Sequence, residues 1–340
     1  MSDHGKVDSA FFHRHIEPYT GASREDVRIG PRHGVDFGVL DIGGQAVVLA
    51  TDPVYVLREL GLERAAWFGV HILLSDAAVS GIPPSHLAVD FNLPPGTPDE
   101  EFETIQRVFS EEAQRFGVSI ATGHTARYEG CSYPMLGGGT CLAVGDHDAV
   151  VRPDGARPGD RVLATKGPAI ESVATVGVLC AEALREDLPD SVVEAAQERF
   201  ADCSPVRDAL VAAAAGPVTA MHDATEAGIT GGLWEMADSA GVRIDVETER
   251  FPVLPGVHEV CEHLGIDPFA ASSEGTLLVT VRPEGADDVL AALASEGIPA
   301  AEVGTVEAGS GLVMDGEATP HPGADPFWPA LSALRGGADA

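Results

Sequence analysis

Met221-His-Asp-Ala-Thr-Glu-Ala-Gly-Ile-Thr-Gly-Gly232 is the densest run of chemistry in this 340-residue chain. It lies between Val218 to Met221, which reads as a short strand, and Gly231 to Ala240, whose apolar spacing predicts a helix. Its three glycines let backbone come close to a ligand. Asp223 and Thr225 suit a helix cap, but a cap needs neither His222 nor the second acid, Glu226. A strand leading through a polar junction into a helix is therefore the unit to seek elsewhere.

The unit recurs around it. Arg161 to Thr165 reads as a strand, followed by helices over Ala169 to Arg185, Val192 to Phe200 and Pro205 to Ala215. Val242 to Val246 is extended, His258 to Leu264 helical, Gly275 to Val281 a strand and Ala286 to Ser295 a helix, before a tail rich in Gly, Pro and Ala. The junction Thr165-Lys-Gly-Pro-Ala169 opens a helix, where free N–H groups and the helix dipole attract phosphate. Lys166 and Gly167 are candidates for that task, although an ordinary surface lysine reads the same, and the segment is too short for a Walker A loop. Glu274, just before a strand, is a weaker candidate.

Upstream, Val35, Phe37 and Val39 alternate with Asp36, Gly38 and Leu40, and Gly43-Gly44 turns into the apolar run Ala46 to Ala50, a hairpin signature. Glu63 to Ser80 has helical apolar spacing and stops at Gly81 before Pro83 and Pro84. Leu87 to Leu93 reads as a strand, and Thr97, Pro98 and Glu100 predict a capping box for a helix running to about Phe116. Val118 to Ala121 and Gly139 to Val144 complete five strands and two helices in the first 145 residues. The class is α+β: an N-terminal mixed sheet with helices on one face, then a second α+β domain. The boundaries expected are a segment 1–30, domains 31–150 and 158–316, and a tail 317–340, with the Gly- and Pro-bearing stretch 146–160 as the break.

Three aspartates of the first half stand at ends of elements: Asp36 in Gly34-Val-Asp-Phe-Gly38, Asp52 in Ala50-Thr-Asp-Pro53, and Asp76 in Ser75-Asp-Ala-Ala-Val-Ser-Gly81. Asp76 lies in an apolar helical stretch, where an uncompensated carboxylate is costly, so something cationic should meet it. Hard oxygen donors of this kind suit Mg²⁺, although each aspartate alone also reads as a cap or turn residue. Ala121-Thr-Gly-His-Thr125 presents His124 beside two hydroxyls, as a general acid or base, a phosphate ligand or a hydrogen-bonded loop histidine. The five cysteines have no C-x-x-C pair and read as small buried apolar residues.

The formal net charge is −32, which argues against nucleic acid as a partner. Lys6 and Lys166 are the two lysines, and an acidic, lysine-poor surface suits concentrated salt. No uncharged run is long enough to cross a bilayer, and Met1 to Ala10 lacks the apolar core of a signal peptide, so a cytoplasmic location is expected.

The order of motifs resembles the superfamily of aminoimidazole ribonucleotide (AIR) synthase (PurM), HypE, thiamine-monophosphate kinase and selenophosphate synthetase, over about Arg28 to Val313. Gly34-Val-Asp-Phe-Gly-Val39 resembles its first acidic motif and Thr51-Asp52 its strand-end aspartate. Ser75-Asp-Ala-Ala-Val-Ser-Gly81 is similar to its helix-end motif, and His222-Asp-Ala-Thr-Glu-Ala-Gly228 to a HypE motif. The resemblance implies a two-domain PurM-like protomer, a homodimer through the N-terminal sheets, and ATP with Mg²⁺ between the domains. It implies transfer of the γ-phosphoryl group to an amide or carboxyl oxygen or another small-molecule acceptor. It further implies Asp36, Asp52 and Asp76 on the metal; Gly34, Thr51, Thr125, Lys166, Gly167 and Thr225 on the nucleotide; and His124, His222, Asp223 and Glu226 in catalysis. Gly123-His124-Thr125 stands where the family's kinases carry Gly-Asp-Thr, which removes one metal carboxylate. AIR synthase paralogues have a histidine there. No cysteine follows Cys261, so HypE's carbamoyl transfer to its own C-terminal cysteine is not expected, and selenophosphate synthesis is disfavoured by the lack of an early Cys or Sec. The best description is an AIR synthase-related, HypE-like protein. It is either a Mg-ATP-dependent enzyme or a nucleotide-binding maturation factor with little turnover that acts on a partner protein.

Overall fold

The computed structural model describes residue 7 and residues 9–336. The chain divides into two compact units, one formed by Ala22–Pro31 with Asp36–Val150, the other by the chain from Val151 onward with Arg32–Val35 and the N-terminal stretch through Gly21. In chain order the elements begin with α1 (Ser9–His15), grouped with the later unit.

The earlier unit holds β1 (Val27–Ile29), β2 (Gly38–Ile42), β3 (Gln45–Tyr55), α2 (Leu62–Ala78), β4 (Pro84–Leu93), α3 (Asp99–Arg115), β5 (Ser119–Arg127) and β6 (Met135–Gly145). Its sheet runs β1-β2-β3-β6-β4-β5, with β4 and β5 parallel and the other pairs antiparallel. Strand alternation sorts the side chains. Val39, Val48, Ala143, Leu87, Val89 and Phe91 are buried toward the helices, where Phe91 meets Phe102 and Phe109 edge-on at 5.3 Å. The opposite face carries Leu40, Val47, Leu49, Leu142 and Val144, paired across β2, β3 and β6 and left partly exposed.

The later unit holds β7 (Arg161–Thr165), α4 (Ile170–Leu179), α5 (Ala181–Asp187), α6 (Asp190–Glu198), α7 (Val206–Ala215), β8 (Val218–Asp223), α8 (Gly228–Ala240) and β9 (Arg243–Val246). It continues with α9 (Val257–Leu264), β10 (Leu277–Val281), α10 (Ala286–Ser295), β11 (Ala300–Glu307), β12 (Gly311–Met314), β13 (Glu317–Thr319) and α11 (Phe327–Gly336). Its sheet runs β13-β12-β9-β11-β7-β10-β8, with only β12 and β9 parallel. All five residues of β10 are buried between β7 and β8, which explains an unbroken apolar run without alternation.

The structure differs from the sequence reading in identifiable ways. β3 does not end at Asp52 but continues through Pro53 to Tyr55. Its pairing with β2 stops at Leu49, so Pro53 lies where one side of the strand is open and its missing N–H costs no bond there. β5 continues past Ala121 to Arg127, and β8 includes His222 and Asp223. Gly123 is a close-approach glycine, not a strand end, because a Cβ there would lie 2.5 Å from the Val89 carbonyl oxygen. The capping box does not form, since the Thr97 hydroxyl donates to the Pro94 carbonyl and α3 has no side-chain cap. The helix expected over Ala169 to Arg185 breaks at Cys180 into α4 and α5. Where a tail was expected after Ser295, β11 to β13 and α11 form, because β11 fills the place between β7 and β9. Among the described residues no helix is long and apolar enough to cross a membrane. Cys141, Cys180, Cys203 and Cys261 are buried and Cys131 half-buried, all as free thiols.

Candidate functional site

In the later unit, two buried aspartates differ in what surrounds them. Asp208, 2% exposed, accepts from Thr165 Oγ1 at 2.8 Å and faces Lys166 Nζ at 3.1 Å. Burial pushes its carboxyl up, while Lys166 and Thr165 pull it back. Asp223, at the end of β8, is 1% exposed, and both its oxygens are buried without a hydrogen-bond partner among the described residues. An ionised carboxylate so placed costs several kcal/mol unless a cation or a proton meets it. Two acceptors and no donor is the chemistry that fits a hard divalent ion.

His222 precedes Asp223 and is 3% exposed. Its Nε2 lies 2.8 Å from Glu235 Oε2 and its Nδ1 lies 3.6 Å from Asp223 Oδ1. Thr225 makes the following turn, its carbonyl accepting from Gly228 N at 3.1 Å and Ser273 N at 3.3 Å. Glu226 is half-buried and adds repulsion to Glu171, whose carboxyl is pushed up to about 8 mainly by burial, with Asp325 repelling as well. Asp325 closes this corner, its carboxylate accepting from Ala227 N at 3.0 Å, Ser272 Oγ at 2.7 Å and Phe327 N at 2.8 Å. Gly34 has φ +69°, and a Cβ there would lie 3.0 Å from Glu235 Cβ, so this glycine makes room for Glu235.

The expectation for Lys166 and Gly167 gives way to a structural role. Lys166 is 6% exposed, and its ammonium donates to the carbonyls of Asp202 (3.1 Å), Ser204 (2.7 Å) and Gly275 (3.1 Å) as well as facing Asp208. Three N–H bonds have four acceptors, leaving none for phosphate. Gly167 receives Thr276 Oγ1 at 2.5 Å on its carbonyl, and a Cβ there would lie 1.7 Å from the Pro252 carbonyl oxygen. The start of α4 is likewise taken, with Ile170 N donating to Ser273 Oγ at 3.0 Å and Ser172 N to the Ser272 carbonyl at 3.1 Å.

In the earlier unit, Asp36 is half-buried before β2, Asp52 half-buried on β3, and Asp76 half-buried in the last turn of α2, the negative end of the helix dipole. The three do not form a set of ligand atoms mutually within 4.8 Å. β-pairing also separates residues that the sequence groups. Asp52 lies opposite Gly139, across from Leu73 and so on the helix side, whereas His124 lies opposite Asp90 and Gly138, on the outer face with Thr51 and Thr140. Thr51 and Thr140 share a hydroxyl hydrogen bond of 3.0 Å. The His124 Nε2 meets the Tyr128 hydroxyl at 2.9 Å, and both side chains are exposed. Thr125, facing the other way, lines a cavity of about 290 Å³ with Val89, Phe91, Phe102, Gln106, Ile120 and Gly123.

Reading the residues alone missed Glu235, Glu171 and Asp325. Glu235 sits 13 positions after His222 on α8. Its spacing from Gly231 and Gly232 on a helix, i to i+4 and i+3, was the available signal.

Residues 34–144 match the AIR synthase related protein N-terminal domain and residues 157–317 the AIR synthase related protein C-terminal domain. The chain belongs to the AIR synthase-related family. Over 282 residues it is 31% identical to carbamoyl dehydratase HypE of Rhizobium leguminosarum bv. viciae, spanning 82% of this chain and 78% of that protein. It shares its fold with E. coli HypE, a hydrogenase maturation protein, at a TM-score of 0.71 and 24% identity, covering 96% of this chain and 92% of that one. A HypE in complex with ATP superposes at 0.65 with 20% identity (94% and 97% covered), and a HypE–HypF complex at 0.67 with 23% (84% and 93%).

Proposed function

We propose that the protein uses Mg-ATP to phosphorylate an amide, carbamoyl or carboxyl oxygen of a small acceptor, preparing that group for loss of its oxygen. The observation that carries the reading is Asp223, a carboxylate buried to 1% with two oxygens that no hydrogen-bond donor among the described residues meets. The likeness to a carbamoyl dehydratase and to a HypE in complex with ATP supports the reaction class. Bound Mg²⁺ would offset the repulsion between carboxylates and triphosphate. Asp223 would hold it in the later unit; Asp36, Asp52 and Asp76 are the acidic candidates of the earlier unit, although they do not converge there on one set of ligand atoms. The Asp76 position, against the helix dipole, favours a nearby cation. Thr125 in the earlier unit and Thr225 in the later one are the candidate hydroxyls for the nucleotide, Thr51 lying on the opposite, outer face with Thr140, and the apolar walls of the Phe91–Phe102 cavity, with Gln106 and Thr125 as polar atoms, suit an adenine ring. Glu226 would face the acceptor and orient it, with His222 fixed beside Asp223 at the end of β8, while His124 would hold phosphate or pass a proton only from the outer face of the sheet. The half-exposed outer sheet face would join two copies into a homodimer, and a cytoplasmic location belongs to the same reading.

The test is ADP release and equilibrium ATP binding with Mg²⁺ for the wild type, Asp223→Asn and Asp76→Asn. Turnover is expected to fall on the order of 10²-fold in both variants, with weaker ATP binding. Unchanged ADP release in both would sink the assignment.

A second reading is a nucleotide-binding maturation factor that turns over little and acts on a partner protein. His124 favours it, offering an exposed imidazole already engaged with Tyr128. The structure of a HypE–HypF complex supports such a partnership. ATP binding without ADP release in the same assay would select it.

A further inference from the structure

We infer that Glu235 is a positioning residue, whose carboxylate takes the Nε2–H of His222 and so turns the Nδ1 lone pair of that ring toward Asp223, making imidazole and carboxylate a two-donor seat for one divalent cation. This rests on the reading of Asp223 as a cation ligand.

The construction is visible in the elements. His222 and Asp223 end β8 against β10, paired with Leu278 and Leu277. α8 then crosses this strand end, and Gly232 faces it: a Cβ there would lie 2.8 Å from Leu278 Cδ1 and 3.8 Å from His222 Cδ2. One turn on, at i+3, the same helix face carries Glu235. Gly34 gives Glu235 its space on the far side. The result is a buried ring held at one nitrogen by a carboxylate at 2.8 Å.

Proton placement follows from the acceptors around the ring. A ring that is to ligate a metal must be neutral, and a neutral imidazole carries one N–H. A proton on Nδ1 would leave the Nε2 lone pair against the Glu235 carboxylate at 2.8 Å, two acceptors in repulsion. A proton on Nε2 satisfies that contact and leaves Nδ1 as an acceptor toward Asp223. The Nδ1–Oδ1 separation of 3.6 Å is longer than a hydrogen bond. Adjacent donors about 2.1 Å from one octahedral ion are roughly 3.0 Å apart and opposite ones about 4.2 Å, so a bound cation draws these two atoms together by about half an ångström to become neighbouring ligands. Carboxylate, histidine and metal in line is how a ligating ring is held in one tautomer. A nitrogen donor also shifts preference from Mg²⁺ toward Mn²⁺, because imidazole suits transition metals better than hard alkaline-earth ions.

The experiment has two arms. In the first, [¹⁵N]histidine spectra of the metal-free protein report which nitrogen of His222 carries the proton, assigned with His222→Gln. The expected result is the Nε2–H tautomer; a proton on Nδ1 overturns the proposal. In the second, calorimetry with Mn²⁺ alone compares the wild type, Glu235→Leu, Glu235→Gln and Asp223→Asn. Glu235→Leu is expected to weaken Mn²⁺ about 10- to 100-fold, while Glu235→Gln, which keeps a carbonyl acceptor for Nε2–H, stays within a few-fold of wild type. A folded Glu235→Leu protein that binds Mn²⁺ like the wild type overturns the proposal. Should that variant not fold, the tautomer of the wild type decides. Equal Mn²⁺ binding by wild type and Asp223→Asn would instead refute Asp223 as a ligand, a failure separate from the tautomer result.

Discussion

Asp208 and Asp223, both buried, and the half-buried Glu171 show three ways for one unit to hold an acid. Asp208 is paired with Lys166 and bonded by Thr165, and Asp223 has acceptor atoms with no hydrogen-bond donor among the described residues. Glu171, among Glu226, Glu274 and Asp325, is held largely protonated, its carboxyl moved by burial from 4.5 to about 8. The folded state therefore keeps a proton that the unfolded chain has lost. The stability tied to Glu171 is full below about pH 4.5 and is lost as pH rises through about 8. Glu171→Gln, neutral throughout, is expected to flatten the fall in urea-unfolding free energy over that window. A slope as steep as that of the wild type would show that other groups set it.

At the scale of elements, strand alternation decides which predicted residues belong together. β3 and β5 place Asp52 and Thr125 on the helix side of the sheet, and Thr51 and His124 on the outer face. The same alternation brings Leu40, Val47, Leu49, Leu142 and Val144 onto that outer face, and Val144 keeps 40% of its surface exposed. Burying such a face stabilises association by about 25 cal/mol per Å² before the cost of lost freedom. Light scattering should give twice the protomer mass for the wild type and a single protomer for Leu49→Glu, since a carboxylate at the centre of a dry interface is costly. A wild-type monomer, or an unaltered dimer in the variant, would exclude this face.

Across the whole molecule the net charge of −32 opposes the compact state at low ionic strength. Many cations present pair with acids of the opposite sign nearby, as Arg24 with Asp26, Arg152 with Asp154 and Arg243 with Asp245 do, so much of the acidic excess stays uncompensated. Molar salt shortens the Debye length to about 3 Å and removes that repulsion. The thermal midpoint is expected to rise by about 3–4 °C from dilute buffer to molar KCl, equivalent to ~2–3 kcal/mol for a chain of this size. A midpoint independent of KCl would leave the acidic surface without this role.

Local pattern determined much of this protein. Apolar periodicity located α2, α7, α10 and β7 nearly to the residue and the end of β4, and Gly43-Gly44 marked the β2–β3 hairpin, because these signals are carried by neighbours in the chain. The residue types around Asp223 announced chemistry for the same reason. Only the tertiary structure decided the rest. It turned Lys166 inward onto three carbonyls, extended β3, β5 and β8 beyond the ends expected for them, and made strands of a supposed tail. It also put Glu235 against His222. Each of those outcomes depends on a partner distant in sequence, and the energy of a buried charge or an unpaired strand edge is set by what packs against it, which no stretch of chain specifies alone.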